Sequence, residues 1–190
     1  MSKISALFID SYKELKNLRS LTMAALLAAI YAVSYSPFAG NIVIMPGVIE
    51  IRLGFIAIAA AAMLFGPVTA PIVAIVGDIV GTIIFYGGSF FLGYTFSWFL
   101  QGVVFGLFFY KMKNSIPRIC LSMAFNTFVV SLLLTTKWQE MMGFGPFAER
   151  FFVRLPLSLT LLPINAILLY LVLRTLAFAH KKITAGQGRF

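Results

Sequence analysis

The sequence predicts an all-α integral membrane protein that folds as a bundle of six transmembrane helices. The chain is very apolar, its few charges leave long uncharged windows, and Pro and Gly divide those windows into lengths suited to helices. Of its 190 residues, 61% are hydrophobic and 11% are charged, and the mean hydropathy is +0.97. Soluble domains have about 25% charged residues, and disordered chains are poor in apolar and aromatic residues. Both classes are therefore excluded.

The charge-free windows predict the six helices in order. A membrane-spanning helix needs roughly 20 mostly apolar residues. The uncharged windows are 20–49, 53–77, 79–110, 119–136 and 155–173. Turn-forming residues interrupt the chain at 37–47, 66–67, 87–93, 115–117 and 143–146. Together they predict helices over 20–36, 51–65, 68–86, 93–111, 117–136 and 147–178. No segment alternates polar and apolar residues as a membrane-spanning strand would.

Lysine and arginine predict the orientation, because they concentrate in cytoplasmic loops. Eleven of them lie in three segments: the N-terminus, the link between predicted helices four and five, and the C-terminus. They are Lys3, Lys13, Lys16, Arg19, Lys111, Lys113, Arg118, Arg174, Lys181, Lys182 and Arg189. Six spans place all three segments on one side. We therefore expect a bacterial cell-membrane protein with both termini in the cytoplasm.

This topology predicts that the chain is divided into three parts. Residues 1–19 place apolar side chains at helical spacing among lysines, which is typical of an amphipathic helix on the inner membrane surface. The alternative is a solvated basic tail, and no cleavable signal peptide is expected. Residues 20–178 form the membrane domain and 179–190 a cytoplasmic tail. The net charge of +9 reflects this topology and does not indicate nucleic-acid binding.

Asp78 is the acid that the sequence places deepest in the bundle, with 25 uncharged residues before it and 32 after it. An ionisable group at the bilayer centre costs roughly 2.5–3.5 kcal/mol or more, so it faces the bundle interior and usually has a function. Asp78 is therefore predicted to contact a ligand. The alternative is an ion pair, for instance with Arg154, that holds helices together.

Three arginines are predicted near the outer end of the bundle. Arg150 and Arg154 are four residues apart, hence on one face of predicted helix six, and Ser158 and Asn165 continue that face. Arg52 begins predicted helix two. Guanidinium groups bind carboxylate or phosphate through paired donors, which predicts a ligand with anionic groups. For Arg52 and Arg150 the alternative is that they extend to the membrane interface.

Aromatic residues are also frequent at this end, and we single out Phe90, Tyr94, Trp98 and Trp138. They suit a flat heteroaromatic ligand held by stacking, although aromatic residues also form the ordinary belt at membrane interfaces. The sequence contains no phosphate-binding GxxxxGK[ST] loop and no HExxH motif, and it has one cysteine and one histidine. We therefore expect a binding protein with no metal, no cofactor and no ATPase activity of its own.

Predicted helix one carries small residues at four-residue spacing, which allow another helix to approach closely. The residues are Ala24, Ala25, Ala28, Ala29 and Ala32. They predict a docking surface for a separate membrane subunit. The alternative is that the same alanines pack within the bundle.

At this level of detail the chain resembles a known family, the S components of energy-coupling factor (ECF) vitamin transporters, and in particular the folate type. The likeness covers nearly the whole chain, in order. It rests on the segments 12–19, Ile51-Arg52-Leu53-Gly54-Phe55, Phe65-Gly66-Pro67, Val76-Gly77-Asp78, Tyr94-Thr95-Phe96-Ser97, and Arg154-Leu155-Pro156 through Leu162-Pro163-Ile164. One departure is Leu134-Thr135-Thr136-Lys137-Trp138, where a Leu-Asn-Thr run is expected before the tryptophan.

The resemblance implies a binding subunit that captures folate outside the cell and associates with a transmembrane coupling subunit and two cytoplasmic ATPases. It further implies that the coupling subunit contacts the alanines of helix one, and that the protein topples in the membrane to release the vitamin. A related pterin, pantothenate or riboflavin remains as an alternative ligand. Rivals from other classes are a lipid-metabolising membrane enzyme and a structural or signalling membrane protein.

Overall fold

Helices form nearly all of the regular structure. The computed structural model describes residues 3–36, 41–45, 49–85, 90–112 and 115–187, and for residues 3, 41–45, 49–52 and 180–187 it describes the backbone alone. The elements are α1 (Lys3–Leu15), α2 (Leu18–Val33), β1 (Asn41–Met45), β2 (Ile49–Arg52), α3 (Phe55–Phe85), α4 (Leu92–Phe109), α5 (Ile116–Phe125), α6 (Thr135–Met141) and α7 (Phe147–Gln187). A π-helical segment, Asn126–Leu134, joins α5 to α6.

Four helical stretches are long and apolar enough to cross a membrane within the described part of the chain. They are Phe55–Phe85, Leu92–Phe109, Ile116–Met141 and Phe147–Ala179, and α2 is a shorter apolar helix. Large apolar side chains on these helices point outward, such as Leu26, Ile83 and Ile167, each more than 60% exposed. Such apolar faces suit a lipid environment, and the chain is a multi-pass membrane protein.

The helix α3 contains a reversal of chain direction at Gly66. Its φ of 89° and ψ of −168° are non-helical, and glycine adopts this conformation readily because it lacks a Cβ atom. Tyr31 lies against both Gly54 and Gly77. In one straight helix these glycines would be about 34 Å apart, at 1.5 Å per residue. The two halves of α3 therefore run antiparallel, with the break at the predicted Gly66-Pro67 position.

Ser11 of α1 stabilises this turn through two hydrogen bonds. Its hydroxyl is fully buried, donates a hydrogen bond to the Phe65 carbonyl at 2.5 Å, and accepts one from the Val68 backbone N–H at 3.0 Å. Backbone groups freed by the break thus find a side-chain partner, as buried backbone groups must. The amphipathic helix predicted at the N-terminus is therefore attached to the membrane domain through the turn.

An ion pair also joins α1 to the end of α4. Lys111 Nζ lies 2.7 Å from Asp10 Oδ2. The hydrogen bond and the charge of Lys111 lower the pKa of the Asp10 carboxyl below its usual value. Since that pKa is lowered by folding, the pair stabilises the protein at neutral pH, and the effect is lost as the pH falls through the lowered value. Both groups are exposed, so the contribution is small.

Replacing Ser11 with alanine is expected to lower the free energy of unfolding by about 1–3 kcal/mol, because the buried Phe65 carbonyl and the partly buried Val68 N–H both lose their partner. Thermal unfolding of the purified protein in detergent measures the effect. Ser115→Ala is the matched control, since Ser115 is exposed and its side chain forms no capping hydrogen bond. Equal melting temperatures for the two variants would contradict the role given to Ser11.

The structure differs from the sequence prediction mainly at three helix boundaries. Predicted helix five was to end at 136, but the helical stretch continues to Met141. Predicted helix two was to begin at residue 51, but residues 49–52 form β2, which pairs antiparallel with β1, and the helix begins at Phe55. Both strands are rich in β-branched residues, which favour strands, and Pro46-Gly47 lies between them. Predicted helix six was to end at 178, but α7 continues to Gln187. Lysines end an apolar span without ending a helix, because they are good helix formers.

Candidate ligand-binding site

A cavity of about 340 Å³ lies between α3, α4, the π-helical segment, α6 and α7. Its outer rim comes from the start of α4 and from the turn after α6, and its deeper wall from the middle of the helices. Its size is within the range of small-molecule sites, about 300–1,000 Å³. The predicted site residues that line it are Asp78, Phe90, Tyr94, Trp98 and Arg154, joined by Ser158 and Asn165 of the predicted polar face.

Asp78 is 3% exposed and lies on the cavity wall. Its Oδ1 accepts a hydrogen bond from the Tyr35 hydroxyl, and its Oδ2 accepts one from Thr95 Oγ1 at 2.6 Å. These partners belong to the residues after α2 and to α4, so the carboxylate links three parts of the bundle. An ionised carboxylate has about four lone-pair sites, so Asp78 retains acceptor capacity towards the cavity.

Aromatic rings form one wall of the cavity. Tyr94 and Trp98 lie four residues apart on α4 and face it together, with Phe90 and Phe91 at the rim. The rings support one another edge to face: Trp98 on Tyr31 at 6.2 Å and Phe91 on Tyr94 at 5.8 Å between centroids. Such a wall presents flat apolar surface to a planar ligand ring.

Trp138, also predicted as a site residue, lies behind this wall and is not among the cavity-lining residues. Its indole Nε1 donates a hydrogen bond to Ser97 Oγ at 2.9 Å, and its ring centroid is 5.9 Å from that of Phe91. Trp138 thus attaches α6 to α4 and holds the rim in place.

The three predicted arginines have different surroundings. Arg154 lines the cavity and its Nη2 lies 3.4 Å from Ser131 Oγ. Arg150 donates through Nε at 2.8 Å, and also through Nη2, to the carbonyl of Phe144 in the outer turn. Arg150 therefore positions the rim, on which Phe144 lies. The strand β2 ends at Arg52, but the prediction for its side chain lies outside the residues whose side chains are described.

Several polar residues of the cavity were missed by the sequence analysis. They are Tyr35, Thr82, Gln101, Asn126, Thr127, Ser131, Thr135 and Gln139. A signal was present for Gln101 and Asn126, because each is an amide inside an otherwise apolar helix. Gln101 is 1% exposed, and neither of its amide atoms has a hydrogen-bond partner among the described residues.

The π-helical segment supplies one side of the cavity. Asn126, Thr127, Val130 and Ser131 of this segment all line it. A π-helix has a wider turn than an α-helix and frequently marks a functional site. Here the Val130 carbonyl accepts hydrogen bonds from both the backbone N–H and the Oγ1 of Thr135, the latter at 2.9 Å, so Thr135 reinforces the end of the π-helical segment.

The predicted docking surface on α2 divides into two faces. Ala24, Ala28 and Ala32 are buried, and the carbonyls of Ala28 and Ala32 lie against Gly77 and Gly81 of α3. These three residues therefore pack inside the bundle. Ala25 and Ala29 are exposed and form a narrow strip of small residues on the outer surface.

A cavity with an aromatic wall, a buried carboxylate and a guanidinium, enclosed by apolar helices, defines a membrane protein that binds a small molecule. Comparison with known proteins narrows this class. A family model described as "ECF-type riboflavin transporter, S component" matches residues 16–177. The chain therefore belongs to the family of S components of ECF-type transporters.

The individual relatives are named for folate and not for riboflavin. The folate transporter FolT of Clostridium novyi (strain NT) is 37% identical over 123 residues, which is 65% of this chain and 72% of that protein. FolT of Leuconostoc mesenteroides is 23% identical over 173 residues, covering 87% and 91%. A crystal structure of FolT bound with folic acid matches with a TM-score of 0.73 at 28% identity, covering 81% of this chain and 92% of that one.

Proposed function

We propose that this chain is the substrate-binding S component of an ECF-type importer and that it captures folate from outside the cell. One observation carries the proposal. The solved relative is bound with folic acid, and at the outer half of this chain's bundle the cavity combines a carboxylate, stacking rings and a guanidinium.

The chemistry of folate matches these groups in order. Its pterin ring has an amino group that donates to a carboxylate, and Asp78 lies about 10 Å inside the outer end of α3, seven residues before Phe85. The pterin and benzoyl rings suit the wall formed by Tyr94, Trp98 and the rim residue Phe90. The glutamate carboxylates suit Arg154. The pterin then lies beside α3 and the anionic tail beside α7, on different sides of the cavity.

Isothermal titration of the purified protein with folic acid tests the proposal, and nanomolar affinity is expected. Such affinity corresponds to about 12 kcal/mol, an energy that buried stacking and charge-assisted hydrogen bonds together can supply. Riboflavin is the second candidate because the matching family model names it. It has a planar ring but lacks carboxylates, so a preference for riboflavin would contradict the role given to Arg154.

Replacing Arg154 with alanine is expected to weaken folate binding about 10- to 100-fold, because a charge-assisted hydrogen bond contributes about 1.5–3 kcal/mol. The dissociation constant from the same titration measures the change. Arg174→Ala is the matched control: Arg174 is exposed and lies on the same helix outside the cavity. If both variants bind folate with the wild-type affinity, Arg154 does not contact the ligand.

We also propose a topology for this function. The six spans are α2, the first half of α3, the second half of α3, α4, the stretch Ile116–Met141 and α7. Both termini and the link after α4 then lie in the cytoplasm with eleven of the chain's lysines and arginines, as the positive-inside rule requires. The proposed parts remain an amphipathic segment at 1–19, a membrane domain at 20–178 and a tail at 179–190.

Energy for transport is proposed to come from other subunits. Membership of the ECF family supports association with a transmembrane coupling subunit and two cytoplasmic ATPases, with the S component toppling to release folate inside. Exposed Ala25 and Ala29 are the part of the predicted alanine surface that is available to the coupling subunit.

A further inference from the structure

Gln101 is the polar residue of the cavity that the bundle itself does not explain. Its side chain is 1% exposed, and within the described part of the chain neither Oε1 nor Nε2 forms a hydrogen bond. Buried polar side chains nearly always have partners, so each exception needs a reason. A side chain that merely stabilised the bundle would bond to a neighbouring helix.

The position of Gln101 shows what its amide faces. It lies nine residues into α4, about 14 Å from the outer end of the helix. It follows Tyr94 by seven residues and Trp98 by three, so all three share one face, and all three line the cavity. The amide therefore lies at the inner end of the aromatic wall.

Unpartnered polar atoms also belong to other residues of the same cavity. Among them are Trp98 Nε1, on the same face of α4 and part of the aromatic wall, and Asn126 Oδ1, from the start of the π-helical segment. Gln101 and Asn126 thus supply amide donors and acceptors from two different elements. We call these two residues the amide floor.

We propose that the amide floor forms hydrogen bonds with the edge of the ligand ring, and that Gln101 determines which ring the cavity accepts. This inference rests on the proposed folate-binding function. A carboxamide presents a donor and an acceptor side by side. The pterin of folate presents the complementary pair at its lactam edge, where N3–H donates to Oε1 and O4 accepts from Nε2. Asp78 receives the neighbouring amino group.

Gln101→Leu separates this role from a structural one. Leucine removes two buried unpartnered atoms, so the ligand-free variant is expected to melt at the wild-type temperature or above it. Folate binding is expected to weaken at least about tenfold, because the lactam edge loses its partners. A structural role predicts a lower melting temperature for the ligand-free protein, and that result would overturn the proposal.

Thr69→Val is the matched control. Thr69 is 1% exposed and its Oγ1 is also buried without a partner, but Thr69 does not line the cavity. We expect its ligand-free melting temperature to be unchanged or raised and its folate affinity to equal the wild type. A loss of affinity in this variant equal to that of Gln101→Leu would also overturn the proposal.

Gln101→Glu tests the pairing with the ring edge directly. A glutamate carboxylate only accepts hydrogen bonds, so it retains an acceptor for N3–H of the pterin but offers no donor to O4. Folate binding is therefore expected to weaken at least about tenfold relative to the wild type. Unchanged folate affinity in Gln101→Glu, with intact wild-type folate binding, overturns this inference alone, whereas a wild-type protein that binds no folate overturns the proposed function.

Discussion

The Asp78→Ala protein is expected to bind folate at least about 100-fold more weakly than the wild type. Two losses combine in this variant. The ligand loses an acceptor for its amino group, and the hydroxyls of Tyr35 and Thr95 lose the carboxylate that orients them. A ligand amino group buried without its charged acceptor costs about 1–3 kcal/mol or more, and about 2.7 kcal/mol already corresponds to 100-fold in affinity.

The measurement is folate titration of purified Asp78→Ala, with Asp78→Asn and Asp10→Ala beside it. Asparagine retains one acceptor for a hydroxyl, so Asp78→Asn should lose less affinity than the alanine variant. Asp10→Ala removes a carboxylate that pairs with exposed Lys111 outside the cavity, and should leave affinity unchanged. Wild-type affinity in both Asp78 variants would exclude Asp78 from the site.

Charge scarcity made part of the site predictable. A lone acid in a long uncharged window must face a polar environment, and Asp78 indeed lies in the cavity. The Gly66-Pro67 break was equally readable, because both residues interrupt helices. In both cases one residue type is energetically costly inside a membrane helix. Its position along the chain is therefore enough to predict where it lies in the fold.

The other cavity residues depended on details that charge and hydropathy do not reveal. Gln101 and Asn126 are uncharged, so they do not interrupt the uncharged windows. Each can be seen in the sequence as an amide inside an apolar helix, but its place in the cavity appears only when burial and hydrogen bonding are known. Arg150 and Arg154 share one helical face, yet Arg150 turns to the Phe144 carbonyl. That choice depends on the conformation of the outer turn, which helical spacing does not specify.

The alanine surface shows a similar limit. Helical spacing placed the five alanines on neighbouring stripes, and small residues suit close packing on either side of a helix. Which stripe faces inward was decided by the glycines of α3 that meet Ala28 and Ala32. The exposed strip of Ala25 and Ala29 is therefore defined by the tertiary structure.

Ala29→Trp is expected to abolish folate uptake by cells while leaving folate binding by the purified S component within about twofold of the wild type. Ala29 is exposed on α2 and does not line the cavity, so the ligand site is unaffected. A bulky indole on the strip prevents another helix from approaching closely, and helix association in membranes depends on such close packing. Tryptophan is apolar enough to remain compatible with lipid, so insertion is preserved.

Ile30→Trp is the matched control, because it places the same side chain on the next residue of the same helix. Ile30 is already large and is 52% exposed, and it lies about 100° around the helix from Ala29. If the coupling subunit contacts the alanine strip, Ile30→Trp retains uptake and co-purifies with the coupling subunit and the ATPases, whereas Ala29→Trp does neither. If Ala29→Trp retains both, α2 presents a different face to the partner. If both variants lose uptake but keep folate binding, the contact extends beyond the strip to the large apolar residues of α2. In either case the two variants locate the docking surface independently of the vitamin that the cavity holds.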